Sequence, residues 1–355
     1  MKFGLALPTG MEGLINPIPF FSAEDFVPAA QLAERLGFDS VWGNDHYAPQ
    51  EYVRSKYREP PNFYEVLTVL AAVSSATTYV ELGTAVLVLP MRDIVTLAKQ
   101  TSTLDQLSGG RLLLGVSIGA YKEEYAAARP DLVGRHRGNM LEEGLEILRR
   151  VGTERSVTYE GETYRLDDFE MYPKFARQPF PVLVGGHQLR AIDRAVRLAE
   201  GWIPGWRPFE ELREWIGVFR EKAAEAGRDP QSMIAAPQLS CLVARSHEQA
   251  ERRYMESGMV QHRLSLAYTG RDPALAMDNN LVGSTQEVLE KVETLHEAGA
   301  DHLACITLCV DTVDEYHEQM HLLAEEVIRP YRRRHRIPDP GAGIPSREPP
   351  VSPIA

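Results

Sequence analysis

A chain of 355 residues with 44% hydrophobic and 25% charged residues has the size and composition of a single globular enzyme with a large core. Its 38 basic and 50 acidic residues leave a net charge of -12 and no basic stripe, which argues against a nucleic-acid partner. Three late cysteines (Cys241, Cys305, Cys309) exclude a disulfide framework, no apolar run nears the roughly 20 residues of a membrane span, and the N-terminal apolar run is too short for a signal peptide, so a cytoplasmic location is expected.

Short apolar runs alternate with longer helical patterns. The first strand is read at Phe3–Leu7, then a helix from about Ala23 to Leu36, with Ser22 placed to cap it and Gly37 to stop it. Phe38–Trp42 is the second strand, followed by a long polar loop with Pro49, Pro60 and Pro61, and a helix over Phe63–Ser75. Val80–Leu89 reads as one unbroken apolar strand, as expected where both faces are covered. A helix over Ile94–Leu107 and a strand over Arg111–Val116 follow. The alternation lapses from Ile118 to Pro173, apart from a helix at Arg135–Val151 and a hairpin at Val157–Leu166.

It then resumes. Strands are predicted at Pro181–Val184, Gly201–Pro204, Ile234–Ala244 and His302–Leu308. Helices are predicted at Leu189–Ala199, Phe209–Ala226, His247–Ala267, Ser284–Ala298 and Val313–Arg333, with a loop insertion at Thr269–Leu281. Eight strands, each followed by a helix, predict a closed (β/α)8 TIM barrel of the α/β class with insertion segments, in one domain over residues 1–336. The tail, residues 337–355, holds six prolines in 19 residues and reads as disordered.

In such barrels the site lies where strands end and the following loops begin. Strand two runs into Asp45-His46, a carboxylate beside the side chain that titrates near neutral pH. His46 is thus either a proton donor and acceptor for a reacting ligand or a hydrogen-bonded loop histidine. The small residues of Leu82-Gly83-Thr84-Ala85-Val86 either let a flat ring approach the backbone or pack tightly inside the barrel. Ser117 and Gly119 follow strand four. Gly185-Gly186-His187 follows strand five and opens onto a helix, where bare N–H groups and a positive dipole end suit a phosphate, with Arg190 one turn in. Tyr47, Tyr121 and Trp206 are candidates to line the substrate pocket, or core aromatics. Lys122-Glu123-Glu124 and Arg135-His136-Arg137 read as solvated loop charge, or as contacts to a substrate or an anionic cofactor tail.

Six ordered segments resemble the bacterial luciferase-like superfamily: Gly37-Phe38-Asp39-Ser40-Val41-Trp42 with Asp45-His46; Leu82-Gly83-Thr84-Ala85-Val86 with Leu89-Pro90; Thr103-Leu104-Asp105-Gln106-Leu107-Ser108-Gly109-Gly110-Arg111; Pro181-Val182-Leu183-Val184-Gly185-Gly186; Ala199-Glu200-Gly201-Trp202; and Val282-Gly283-Ser284 with Gln286-Glu287-Val288. The likeness spans roughly Lys2 to Tyr331. It implies an oxidoreductase that binds the deazaflavin coenzyme F-420 or FMN, with His46 at the family's active-site histidine. It also implies a non-proline cis peptide at Ala85–Val86, a homodimer, and for the FMN branch a separate flavin reductase. The phosphate-binding arginine of the FMN branch would fall at Ile118 and its acidic-serine pair at Gly186-His187. Both are absent, and the Gly185-Gly186 turn is similar to the F-420 branch. The glutamate acid of that branch's sugar-phosphate dehydrogenases would fall at Ala120.

The resemblance therefore implies hydride transfer between deazaflavin C5 and a small organic substrate. Asp45 would hold His46; Thr84, Ala85, Val86, Ser117, Gly119, Gly185, Gly186, His187 and Arg190 would hold the cofactor. The alternatives are a monooxygenase using reduced FMN (FMNH2) and oxygen, or a flavin-binding protein without catalysis. No metal site is expected: His317-Glu318-Gln319-Met320-His321 fits H-E-x-x-H but lies in the closing helix with no third ligand in sight. Cys305 and Cys309 read as buried free thiols.

Overall fold

The computed structural model describes residues 1–267 and 277–341. Among them, eight strand positions form a ring: β1 (Lys2–Leu7), β2 (Ser40–Gly43), β3 (Glu81–Thr84), β4 (Leu112–Ser117), β5 (Val182–Gly185), β6 (Gly201–Ile203), β7 (Ile234–Ala235 and Gln238–Ala244) and β8 (His302–Leu308). Each pairs in parallel with the next, β6 with the first segment of β7, and β8 closes back onto β1. The chain is the expected (β/α)8 barrel.

Strand alternation creates two cores. Leu5, Leu7, Val41, Leu82, Leu112, Leu114, Val116, Val182 and Val184 face outward and pack against the helices. Ala6, Trp42, Leu113, Leu183, Ile203, Leu242 and Ala304 face inward and fill the lumen. Trp42 is the bulkiest of these lumen side chains and is fully buried. It fits because its neighbours on either side are glycines. A Cβ on Gly4 of β1 would stand 2.2 Å from the indole Nε1, and one on Gly83 of β3 would stand 2.0 Å from Cε3. The ring that Gly83 admits is therefore the protein's own indole, which gives the packing reading at this one position. Trp42 Nε1 donates to Ser40 Oγ at 2.6 Å, and Ser40 Oγ lies 2.7 Å from His302 Nε2. Burial holds His302 well below its ordinary pKa. The Ser40 hydroxyl thus links the indole N–H to the neutral imidazole.

Several sequence expectations need correction. Val80–Leu89 is not continuous: β3 ends at Thr84, the Ala85–Val86 peptide is cis, and Leu87–Val88 resumes pairing with β4 before a 3-10 turn at Leu89–Met91. The strand Ile234–Ala244 breaks at Ala236-Pro237, since proline has no N–H for the ladder. The helix after β1 starts at Phe26, and Ser22 caps nothing; its N–H and hydroxyl both donate to Asp25. The helix after β2 starts at Val66, with Glu65 accepting from Thr68 N–H. His247–Ala267 is two helices, His247–Glu256 and Gly258–Ser265, parted at Ser257; a Cβ on Gly258 would strike the Ile15 carbonyl at 2.1 Å. Short helices at Glu51–Lys56 and Lys122–Ala128 occupy stretches read as loop.

Leu281–Ser284, assigned to the insertion and the next cap, is an extra strand beside β7. Positions 269–276 of that insertion lie outside the described residues. So do positions 342–355 of the tail. Its first residues are docked: Ile337 N–H donates to the Arg332 carbonyl at 2.9 Å, and Asp339 meets the Arg332 guanidinium at 3.4 Å. The three cysteines are buried and free, and burial raises the Cys305 and Cys309 thiols to about 12. No helix of the described residues is long and apolar enough to cross a membrane.

Replacing Gly83 by alanine is expected to lower stability by about 1–3 kcal/mol, because the lumen has no room for another carbon. Equilibrium urea unfolding measures this, and a neutral Gly83→Ala would show that Trp42 can repack freely.

Candidate active site

A cavity of about 590 Å³ opens at the C-terminal ends of the strands. That volume lies within the range of roughly 300–1,000 Å³ usual for small-molecule sites. One wall is Ala85 and Val86 at the cis peptide, held from the side by Gln238 Nε2, which donates to the Ala85 carbonyl at 3.0 Å. His46 reaches the cavity from the end of β2.

The partner of His46 is not its sequence neighbour. His46 Nδ1 lies 2.9 Å from Glu124 Oε1, and the same oxygen accepts the Tyr47 N–H at 3.3 Å. Glu124 comes from the short helix after β4 and is only 3% exposed. Asp45 turns elsewhere. Its Oδ2 accepts from Val88 N–H at 2.9 Å and its Oδ1 from Arg92 Nη2 at 2.8 Å. Arg92 also meets Glu65 at 2.8 Å. Asp45 thus braces the backbone just past the cis peptide, and the expectation that it holds His46 is corrected to Glu124.

Burial works against a charge on the His46 ring. The charge and hydrogen bond of Glu124, with the charge of Asp45, outweigh it and hold the pKa above the ordinary 6.5. Among the described residues Nε2 has no hydrogen-bond partner, so with Nδ1 engaged this nitrogen is left for a ligand. The site presents a histidine with Nδ1 engaged by a buried carboxylate and, among the described residues, Nε2 without a partner.

The remaining predicted residues divide. Ala85, Val86, Ser117, Gly119, Gly185, Gly186, His187 and Arg190 line the cavity, as do Tyr121 and Trp206. Thr84 does not. It is buried behind the wall, its hydroxyl donating to the Gly115 carbonyl at 2.7 Å, because the break in strand three turns it inward. Tyr47 stands outside the lining, 40% exposed, its ring beside the Arg92 guanidinium.

The helix Leu189–Leu198 starts behind Gly186 with no side-chain cap. Gly186 has φ +156, and a Cβ there would come within 2.6 Å of Ala191, so only glycine lets the chain turn this closely into the helix. Arg190 and Arg135 line the same end, and among the described residues neither has an acidic partner within 4 Å. Arg194, by contrast, is paired with Glu142 at 2.8 Å. An uncapped helix N-terminus beside two uncommitted guanidiniums suits a phosphate or a longer anionic chain.

Sequence reading passed over several lining residues, Gln238 and His262 among them, and left the role of Glu124 open. Glu124, read either as solvated loop charge or as a substrate or cofactor contact, is buried: Tyr121, Glu124 and Tyr125 stand at i, i+3 and i+4 and share the buried face of one turn. Gln238 sits in a strand and His262 in a helix read as continuous. His262 Nδ1 lies 3.2 Å from the Tyr121 hydroxyl and 3.3 Å from that of Tyr52, and its ring meets Trp206 edge-on. The Tyr121 ring lies between the two histidines, 6.0 Å from His46 and 6.4 Å from His262. The H-E-x-x-H helix contributes nothing here: its Gln319 is buried and bonds both the N–H and the carbonyl of Val243.

Residues 1–302 match the luciferase-like monooxygenase family. The chain belongs to that family. It is 27% identical over 311 residues to an F-420-dependent hydroxymycolic acid dehydrogenase of Mycobacterium tuberculosis, covering 81% of this chain and 82% of that protein. It is 30% identical over 200 residues to an FMNH2-dependent dimethylsulfone monooxygenase of Pseudomonas putida, covering 56% and 53%. The crystal structure of the monooxygenase RslO1 from Streptomyces bottropensis superposes with a TM-score of 0.76 at 24% identity, over 93% of this chain and all of that one. The protein is thus a luciferase-like oxidoreductase, in a family whose members use either cofactor.

A pKa raised on folding means the His46–Glu124 pair adds stability below the free-histidine value of 6.5 and loses it as pH climbs through the folded value. In Glu124→Gln, burial is opposed by Asp45 alone. The His46 pKa should fall towards or below 6.5, followed by NMR of the ring protons, and that pH-dependent part of the stability should vanish. An unmoved pKa would assign the charge to Asp45 instead.

Proposed function

We propose that this protein transfers hydride between coenzyme F-420 and a small organic substrate, with His46 handling the accompanying proton. The observation that carries the reading is the His46–Glu124 pair: an imidazole whose Nδ1 is held by a buried carboxylate and whose pKa is raised, in the lining of a cavity walled by Ala85 and Val86. The deazaflavin, when bound, supplies two-electron chemistry at C5. The chain supplies the rest. Ala85 and Val86 back the flat ring, and Asp45 and Gln238 keep that wall in place from opposite sides. Ser117, Gly119, the Gly185-Gly186 turn, Arg190 and Arg135 take the phosphate end and its acidic extension. Reduction of a carbonyl, imine or activated alkene adds one hydride and one proton, and His46 Nε2 donates the proton. Glu124 stabilises the charged ring beforehand, and after the proton has gone to the substrate the neutral ring takes a new proton from solvent.

Preference for F-420 over FMN rests on the anion end. Ile118 stands where the FMN branch would carry an arginine, whereas Arg135 and Arg190, without an acidic partner within 4 Å among the described residues, suit a longer polyanion. Anaerobic titration of the apoprotein with both cofactors, oxidised and reduced, tests this. Micromolar F-420 binding with weak FMN binding supports the reading. Preferential binding of reduced FMN, with oxygen consumption in the presence of a flavin reductase, replaces it with a two-component monooxygenase.

His46→Ala should lower kcat by about 100- to 10,000-fold while leaving cofactor affinity within a few-fold. If turnover persists, the proton comes from elsewhere, and Tyr121–His262 is the next candidate. Arg135→Ala and Arg190→Ala should each weaken F-420 about tenfold at low salt and less at high salt, as expected for a partly exposed charge contact.

A further inference from the structure

The opposite end of the barrel carries a side-chain cluster unrelated to the cofactor cavity. The helix Thr285–Glu297 places Glu293 and His296 at i, i+3, the Glu-x-x-His spacing that aims a carboxylate and an imidazole from one helix face at one metal ion. His335, at the end of the last helix, packs against them. Its Nε2 is 2.7 Å from Glu293 Oε2, and its ring stands 4.5 Å from that of His296 at an interplanar angle of 74°. One ligand atom from each of the three lies within 4.8 Å of the other two. Among the described residues this is the one such grouping of histidine, cysteine or carboxylate side chains.

We propose that Glu293, His296 and His335 form a binding site for a divalent transition-metal ion of the zinc type, which clamps the last helix onto its neighbour. Two imidazoles and one carboxylate are a zinc ligand set, with water as the fourth ligand. Bonds of about 2.0–2.2 Å require the three atoms to close to about 3.4 Å of one another, a contraction that rotation of partly exposed side chains supplies. The other carboxylate oxygen, Glu293 Oε1, accepts from Arg334 Nη1 at 2.8 Å, so Glu293 is already oriented, as ligands are when an outer partner fixes them. Solvent access is provided: His296 lines a surface cavity of about 500 Å³ with Met1, Arg220 and Asp301, at the N-terminal ends of the strands. The ion would sit far from any substrate, and its role is to fasten the chain end.

Untagged, EDTA-stripped full-length protein titrated with Zn2+ by calorimetry should bind one equivalent with a micromolar Kd and gain Tm with zinc concentration. Co2+ should give the visible absorption of a four- or five-coordinate nitrogen–oxygen site. His296→Ala and His335→Ala should each weaken binding at least tenfold, and the near-isosteric Glu293→Gln should do so without loss of the fold. His317→Ala with His321→Ala, from the H-E-x-x-H helix, should leave it unchanged. Zinc binding weaker than millimolar in the parent protein overturns the proposal. So does affinity that survives His296→Ala and His335→Ala together, or that disappears with His317 and His321.

Discussion

The indole of Trp42 sets the terms for the barrel. A lumen of eight parallel strands must be filled by side chains, and here one ring occupies the space of several. That is possible only because Gly4 and Gly83, paired in register beside β2, present no Cβ. β2 is tied to β8 through the 2.7 Å contact of Ser40 Oγ with His302 Nε2 and the packing of the indole against the His302 ring. Asn44, Asp45 and His46 follow directly. The histidine stands at the cavity because the strand beneath it cannot slide.

Electrostatics at the mouth is divided between two carboxylates with separate tasks. Asp45 is spent on structure, tying the end of β2 to the Val88 backbone and to Arg92, which in turn reaches Glu65. Glu124 is spent on the imidazole. The two carboxylates come from separate parts of the rim, Asp45 from the end of β2 and Glu124 from the short helix after β4. A third region, after β5, contributes Arg190, which among the described residues has no acidic partner within 4 Å.

Most of the barrel was legible from its periodicity. All eight strand positions were readable because parallel strands buried on both faces appear as short apolar runs, and most helices because glycine or a cap marks their ends. What failed has physical causes. Ser22 looks like a cap, but Asp25, three residues on, captures both its donors. Ser257-Gly258 divides a helix because the Ile15 carbonyl occupies the space beside it, a contact between residues far apart in sequence. The location of the candidate cavity followed from strand ends, and twelve of its lining residues could be named. The pairing of His46 could not, because adjacency favoured Asp45 and only the turn of Lys122–Ala128 brings Glu124 across 78 positions.

That distance along the chain matters for how the ionisation of His46 should be understood. The proton on the ring is held by a residue of another loop, so its affinity reports the docking of that loop. Any change that lifts the Lys122–Ala128 turn leaves a desolvated imidazole with a weakened hold on its charge, even with every atom of β2 in place. A titration curve at this one nucleus is therefore a gauge of how two parts of the rim fit together.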